Sequence, residues 1–320
     1  MTDETVQPAD VSRRKILLGT AAAGVALAGG IPSAMAANKS AATRKEFDGK
    51  TAFITGSARG IGFACAQVLA GNGANIVLFD IAAQIETVKY PLATVDDLAN
   101  ARQQIESLGV KCLAIQGDVR DRKAIENAVA KTVSTFGSLD FVVVNAGITQ
   151  VGRLEMFDDA SVDTVLDVNL GGAIKTIQAV TAQLRKQKRG RIILMSSVTG
   201  RAGSSVFPVY SATKWGMIGL AKSTALALGK DNITCNAVCP TIVHTKLLDN
   251  EYILKALIPQ NPTWAAMSAG AKQMRHILPV GGYEPVHIGN TVRFLCSAES
   301  ELISGDVFDV GAGLNAQWPA

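Results

Sequence analysis

A large charge imbalance is absent from this chain. Against 31 Lys and Arg stand 27 Asp and Glu, for a net charge of +4. That excess is too mild and too scattered to hold a nucleic-acid backbone. Residues 1–36 contain three acids (Asp3, Glu4, Asp10) and three bases (Arg13, Arg14, Lys15), so the remainder keeps the whole +4. The short basic run Lys186-Gln187-Lys188-Arg189 precedes a strand pattern and reads as a solvated helix end. Cysteine patterning is absent too. Cys65, Cys112, Cys235, Cys239 and Cys296 are five, an odd number, with no His at finger spacing. They read as buried thiols and exclude a disulfide framework or a zinc module. Aromatic residues are only 5% of the chain, against 48% apolar residues, the composition of a well-packed soluble globule. There is no internal repeat. The apolar run Ile16 to Ala28 has 13 residues, short for a membrane span.

That run belongs to a pattern of its own. Ser12-Arg13-Arg14-Lys15-Ile16-Leu17-Leu18 is a twin-arginine motif, and no charge follows until Lys39. The intervening stretch is rich in Ala and Gly and closes on Ala34-Met35-Ala36, an Ala-x-Ala site. Charged, apolar and small-residue regions in this order form an export signal. The expectation is export to the periplasm through the twin-arginine machinery, with cleavage after Ala36. An uncleaved anchor and a cytoplasmic protein are the competing readings. Residues 37–45 read as a linker and 46–320 as one α/β domain.

Tyr210 and Lys214 carry the sharpest chemical signal. Four apart on a helix, they share one face. An ammonium beside a phenol favours the phenolate, and a phenol so tuned exchanges a proton with an alcohol near neutral pH. Alone, such a pair is most often an ordinary surface neighbour. Here four segments surround it. Thr51–Thr55 reads as a strand, followed by the turn Gly56-Ser57-Ala58-Arg59-Gly60-Ile61-Gly62 and a helical stretch from Phe63. Glycines let a backbone approach a pyrophosphate, which the helix N-terminus then receives. The spacing is Gly-x-x-x-Gly-x-Gly and not the general Gly-x-Gly-x-x-Gly fingerprint. Asn75–Asp80 is a buried strand ending in a carboxylate. Asp80 lies 18 residues after Gly62, where an acid meets ribose hydroxyls and repels a 2′-phosphate. Arg59 argues the other way, because an Arg nearby holds that phosphate. Two further strands end at Asn145-Ala146-Gly147 and at Ser197, which precedes Tyr210 by 13 residues. Asn169 falls between those strand ends. Taken singly, Ser197 is a strand-end cap and Asn169 a satisfied helix residue.

Taken in order, these motifs resemble the short-chain dehydrogenase/reductase family over roughly residues 46–320. The resemblance implies a catalytic set of Asn169, Ser197, Tyr210 and Lys214. Tyr210 would be the acid/base, Ser197 would hold the substrate oxygen, Lys214 would lower the Tyr210 pKa and bind the nicotinamide ribose, and Asn169 would position a relay water. It further implies NAD held by Gly56, Ser57, Arg59, Gly60, Ile61, Gly62, Asp80, Ile81, Asp118, Val119, Asn145, Ala146 and Gly147, together with Tyr210, Lys214, Pro240, Val243 and Thr245. No metal is implied. Two positions depart from the family: Thr241 replaces the usual glycine after Pro240, and Val144 the usual first Asn. The 38 residues from Asp80 to Asp118 are longer than usual. Their segment Lys89 to Leu98 is similar to the insertion of the carveol-dehydrogenase-like group, described as mycofactocin-dependent. In that group NAD does not exchange and an external redox carrier regenerates it. A generic surface insertion capped by Thr94 is the plainer reading.

The expected fold is a single doubly wound parallel sheet of Rossmann type, helices on both faces. Residues 245–279, with Leu247, Leu248, Tyr252, Ile253, Leu257, Trp264 and Met267, suggest helices covering an apolar substrate pocket. The expected activity interconverts a secondary alcohol and a ketone, the substrate being a hydrophobic or alicyclic small molecule. The resemblance favours a homotetramer. Two rivals stand beside it: an ordinary dehydrogenase with exchangeable NAD, and a non-enzymatic NAD-binding protein.

Overall fold

The computed structural model describes residues 45–317. The export signal, its cleavage site and all of the linker but Lys45 lie outside the described residues. Seven parallel strands form one sheet in the order β3-β2-β1-β4-β5-β6-β7. They are β1 (Thr51–Thr55), β2 (Asn75–Asp80), β3 (Cys112–Gln116), β4 (Phe141–Val144), β5 (Gly190–Met195), β6 (Ile233–Pro240) and β7 (Val307–Val310). Chain order reverses direction between β1 and β4, which pair directly. The expected doubly wound sheet is therefore present, and its switch point lies beside the glycine turn.

Strand alternation builds two cores. In β1, Phe53 faces one side of the sheet while Ala52 and Ile54 face the other. The Phe53 side packs against α3 (Arg122–Phe136), α4 (Asp159–Leu166), α5 (Gly172–Gln187) and α6 (Pro208–Leu228) through Ile125, Val165, Ile177 and Met217. The opposite side packs against α1 (Gly60–Gly71), α2 (Val95–Glu106) and α9 (Val286–Cys296) through Leu69, Ile105 and Ile288. Each such side chain, once fully buried, contributes roughly 1.5–3 kcal/mol. All five cysteines are buried and free. Among the described residues, no helix is long and apolar enough to cross a membrane.

Local signals place the insertion. Thr94 caps α2 in a capping box: its hydroxyl accepts from the Asp97 amide, and the Asp97 carboxylate accepts from the Thr94 amide. The loop 81–93 before it is fastened by Gln84, whose amide donates to the carbonyls of Ile85, Val88 and Tyr90 and accepts from the Leu92 amide. Beyond β6 the chain forms α7 (Glu251–Leu257) and α8 (Trp264–Met274), a separate apolar cluster with Val151, Ile253 and Met267 at its centre.

Candidate active site

Backbone geometry explains the glycines after β1. Gly56 sits at φ +64°, and a Cβ there would lie 2.7 Å from Ala146 Cα. A Cβ on Gly62 would come within 2.2 Å of the Gly56 carbonyl oxygen. Asn145 closes the turn, donating to the carbonyls of Thr55 at 3.0 Å and Gly56 at 2.8 Å. Helix α1 then starts with no side-chain cap and no acid in its first turn. Helices α2, α3 and α4 are capped by Thr94, Asp121 and Asp158. The α1 amides and dipole end are left for an anion.

A cavity of about 610 Å³ opens over the carboxyl ends of the strands. Gly56, Arg59, Gly60 and Ile61 line it from the glycine turn. Asp80 and Ile81 enter at the end of β2, Asp118 and Val119 after β3, and Asn145, Ala146 and Gly147 after β4. Ser197, Tyr210 and Lys214 form the far wall, with Pro240 at the end of β6 and Val243 and Thr245 after it. Three expected site residues do not line it. Ser57 turns inward and donates its hydroxyl to the Ile54 carbonyl at 2.8 Å. Gly62 supports the turn from within, and Asn169 lies fully buried behind the wall.

The Asp80 carboxylate is doubly anchored. One oxygen accepts from the Ala58 amide at 2.9 Å and the other from the Ala82 amide at 3.0 Å. Asp118 is held by the Arg120 guanidinium at 2.6 Å. The Arg59 guanidinium donates to the Pro91 carbonyl of the insertion. It is thereby engaged as a strap across the turn.

Tyr210 and Lys214 sit one turn apart on α6, with the ammonium 5.3 Å from the phenol ring centroid. Lys214 donates to the Met195 carbonyl at 2.7 Å. Ser197, at the end of β5, accepts from the Thr199 amide at 3.2 Å and the Thr199 hydroxyl at 3.1 Å. Its own proton remains for Tyr210. Burial pushes the phenol up to about 12, while the Ser197 hydroxyl pulls it down. Burial also draws Lys214 down to about 8. Burial acts against the charged form of both groups, and the ammonium stands beside the phenol.

Asn169 belongs to a π-helical turn, Asp167–Gly171, between α4 and α5. Its side chain accepts from the Ile148 amide at 2.8 Å and donates to the Ile148 carbonyl at 2.9 Å and to Thr213 Oγ1 at 3.2 Å. It thus fixes the chain leaving β4 against α6. A Cβ on Gly147 would lie 3.3 Å from Asn169 Oδ1 and 3.5 Å from Lys214 Nζ, so these groups share one corner.

Thr241 is not among the residues with positive φ, so the missing glycine leaves no backbone strain. His276 Nδ1 lies 2.9 Å from the Val280 carbonyl and must donate to it. Its Nε2 shares a hydrogen bond with Thr241 Oγ1 at 3.3 Å, tying the loop after β6 to the segment after α8. Of the apolar residues expected to cover the pocket, Leu247, Leu248, Leu257 and Met267 line the cavity, whereas Tyr252 and Ile253 do not. Trp264 instead stacks on His244 at 4.3 Å. Sequence reasoning missed Tyr90, Thr149 and Thr199. Tyr90 was legible only as a lone aromatic inside a polar insertion.

Sheet, uncapped glycine turn and polar far wall are together those of a Rossmann-type oxidoreductase. The chain belongs to the short chain dehydrogenase family, whose model matches residues 50–253. It is 40% identical over 274 residues to an uncharacterized oxidoreductase of Mycobacterium tuberculosis, covering 84% of this chain and 97% of that one. It is 36% identical to (-)-trans-carveol dehydrogenase of Rhodococcus erythropolis, covering 83% and 97%. The crystal structure of carveol dehydrogenase from Mycobacterium avium in complex with NAD matches with a TM-score of 0.82 at 36% identity, over 85% of this chain and 99% of that one.

Proposed function

We propose that the protein is an NAD-dependent dehydrogenase interconverting a secondary alcohol and a ketone. The observation that carries this is the convergence of Ser197, Tyr210 and Lys214 in one cavity with the uncapped α1 N-terminus. A nicotinamide cofactor would supply the hydride donor or acceptor. Tyr210 moves the proton at the substrate oxygen, giving it up when a ketone is reduced and taking it when an alcohol is oxidised. Ser197 holds that oxygen. Lys214, desolvated beside the phenol, is placed to favour the phenolate and to meet a ribose. Asn169 keeps the corner rigid from behind.

The residues present fit the dinucleotide. The α1 amides suit its diphosphate, and Asp80 suits ribose hydroxyls. Arg59 is bound to Pro91, which weakens the case for a 2′-phosphate and favours NAD over NADP. Apolar Leu247, Leu248, Leu257 and Met267 favour a hydrophobic or alicyclic substrate, as does the likeness to carveol dehydrogenases. Ile85, Tyr90, Leu92 and Ala93 of the insertion line the cavity, which supports tightly held NAD, regenerated by an external redox carrier of the mycofactocin type. Such retention would suit an enzyme exported by the twin-arginine route, since free NAD is scarce outside the cytoplasm. A homotetramer completes the reading.

One experiment tests it. Purified protein is denatured, and the supernatant is assayed for NAD by mass. The native enzyme is then assayed with alicyclic alcohols, with added NAD and separately with an artificial electron acceptor. Bound NAD with turnover only through the acceptor fits the reading. An empty protein turning over freely with added NAD marks an ordinary dehydrogenase. A protein that binds NAD without turning over any alcohol or ketone is a binder.

A further inference from the structure

Tyr90 stands on the insertion, 4% exposed, in the wall of the cavity. Its hydroxyl oxygen accepts from the Thr149 amide at 3.0 Å. Its own O–H has no acceptor among the described residues. Burial raises the phenol pKa, so the proton stays in place and the group is a donor at any working pH. A buried phenol donor without a partner is costly unless a ligand accepts from it.

Its position says which part of a ligand. The next residue, Pro91, is bonded through its carbonyl to Arg59, the N-cap of α1. Thr149 follows β4, and β4 pairs with β1 at the switch point. The Tyr90 hydroxyl therefore lies in the gap between Arg59 of the glycine turn and Tyr210, with Tyr252 also nearby, against the chain leaving β4. Gln84 bonds lock the loop from inside, and Thr87 bonds Thr164 of α4 at 2.9 Å. A dinucleotide running from the α1 N-terminus toward Lys214 crosses that same gap.

We infer that Tyr90 donates its O–H to an oxygen of the central ribose–diphosphate portion of the dinucleotide. The insertion is then a direct ligand of the cofactor as well as a cover. The inference rests on the NAD-binding reading above.

Tyr90→Phe keeps the ring and removes only the hydroxyl. Full-length wild type and variant are freed of bound nucleotide. Affinities for NAD, ADP-ribose and AMP are then measured by calorimetry, with the NAD dissociation rate by stopped flow. Loss of one buried hydrogen bond should weaken NAD and ADP-ribose alike by about tenfold and speed NAD release. AMP, which lacks the second phosphate and ribose, should bind within about twofold of wild type, and it also reports that the variant is folded. Unchanged NAD and ADP-ribose affinities would overturn the inference. So would an equal loss for AMP, which would make Tyr90 a structural prop. A wild-type protein that binds neither NAD nor ADP-ribose would sink the NAD reading itself.

Discussion

Replacing Asn169 by Ala removes three side-chain hydrogen bonds in a fully buried corner. Two of them satisfy the amide and carbonyl of Ile148, a residue only 4% exposed. Each bond contributes about 1 kcal/mol net, and each orphaned buried group costs roughly 1–3 kcal/mol. A water entering the space of the lost amide would recover part of this, so about 3 kcal/mol is a fair expectation. For a domain of this size that lowers Tm by roughly 5 °C. Function should fall as well, because Asn169 holds the Ile148–Thr149 segment and lies beside Lys214 Nζ. The assay is thermal unfolding with and without NAD, paired with steady-state turnover. Asn169→Asp keeps the acceptor for the Ile148 amide but loses both donors, and should fall between wild type and Ala. A Tm within about 2 °C of wild type, together with normal turnover, would refute the reasoning.

Lys214→Met should change stability in a pH-dependent way. The folded pKa of about 8 lies below the ordinary 10.5, so between them the unfolded chain holds more protons and wild-type stability rises with pH. Below pH 8 the variant should therefore gain up to about 3 kcal/mol relative to wild type, and the gain should vanish above about pH 10.5. A stability difference independent of pH would count against it. Asp80→Asn should weaken NAD binding and narrow the preference over NADP. It should also cost about 1–3 kcal/mol of stability, since one of the two backbone amides at the carboxylate loses its acceptor. Isothermal titration with both dinucleotides checks the first part. Arg13→Lys with Arg14→Lys should strand the precursor in the cytoplasm with its N-terminus intact, as cell fractionation and N-terminal sequencing would read. Wild-type export of the variant would remove the signal assignment.

The central strands were legible because both sheet faces are covered, and strands buried on both faces appear as continuous apolar runs such as Ile76-Val77-Leu78-Phe79. The α2 start was legible because capping is local, and Thr94 with Asp97 announces it. Tyr210, Lys214 and the glycine turn were legible for the same reason, their geometry being set within a few residues. What escaped depends on distance along the chain. Tyr90 and Thr149 are 59 residues apart and meet only once the sheet has formed. The π-helical turn around Asn169 leaves no periodic trace in five residues. Spacing showed that Tyr210 and Lys214 are close but not how deeply they are buried, and burial shifts both groups.

The most direct test of the central claim is turnover by Tyr210→Phe, measured beside its NAD content. Phe fills the same space and leaves Lys214 bonded to Met195, so nucleotide binding should stay near wild type. The proton carrier is gone, and kcat should fall on the order of 10²–10⁴-fold, about 3–5 kcal/mol on the barrier. A variant that holds NAD and has lost turnover is the predicted result. A variant that turns over at near the wild-type rate would contradict the account.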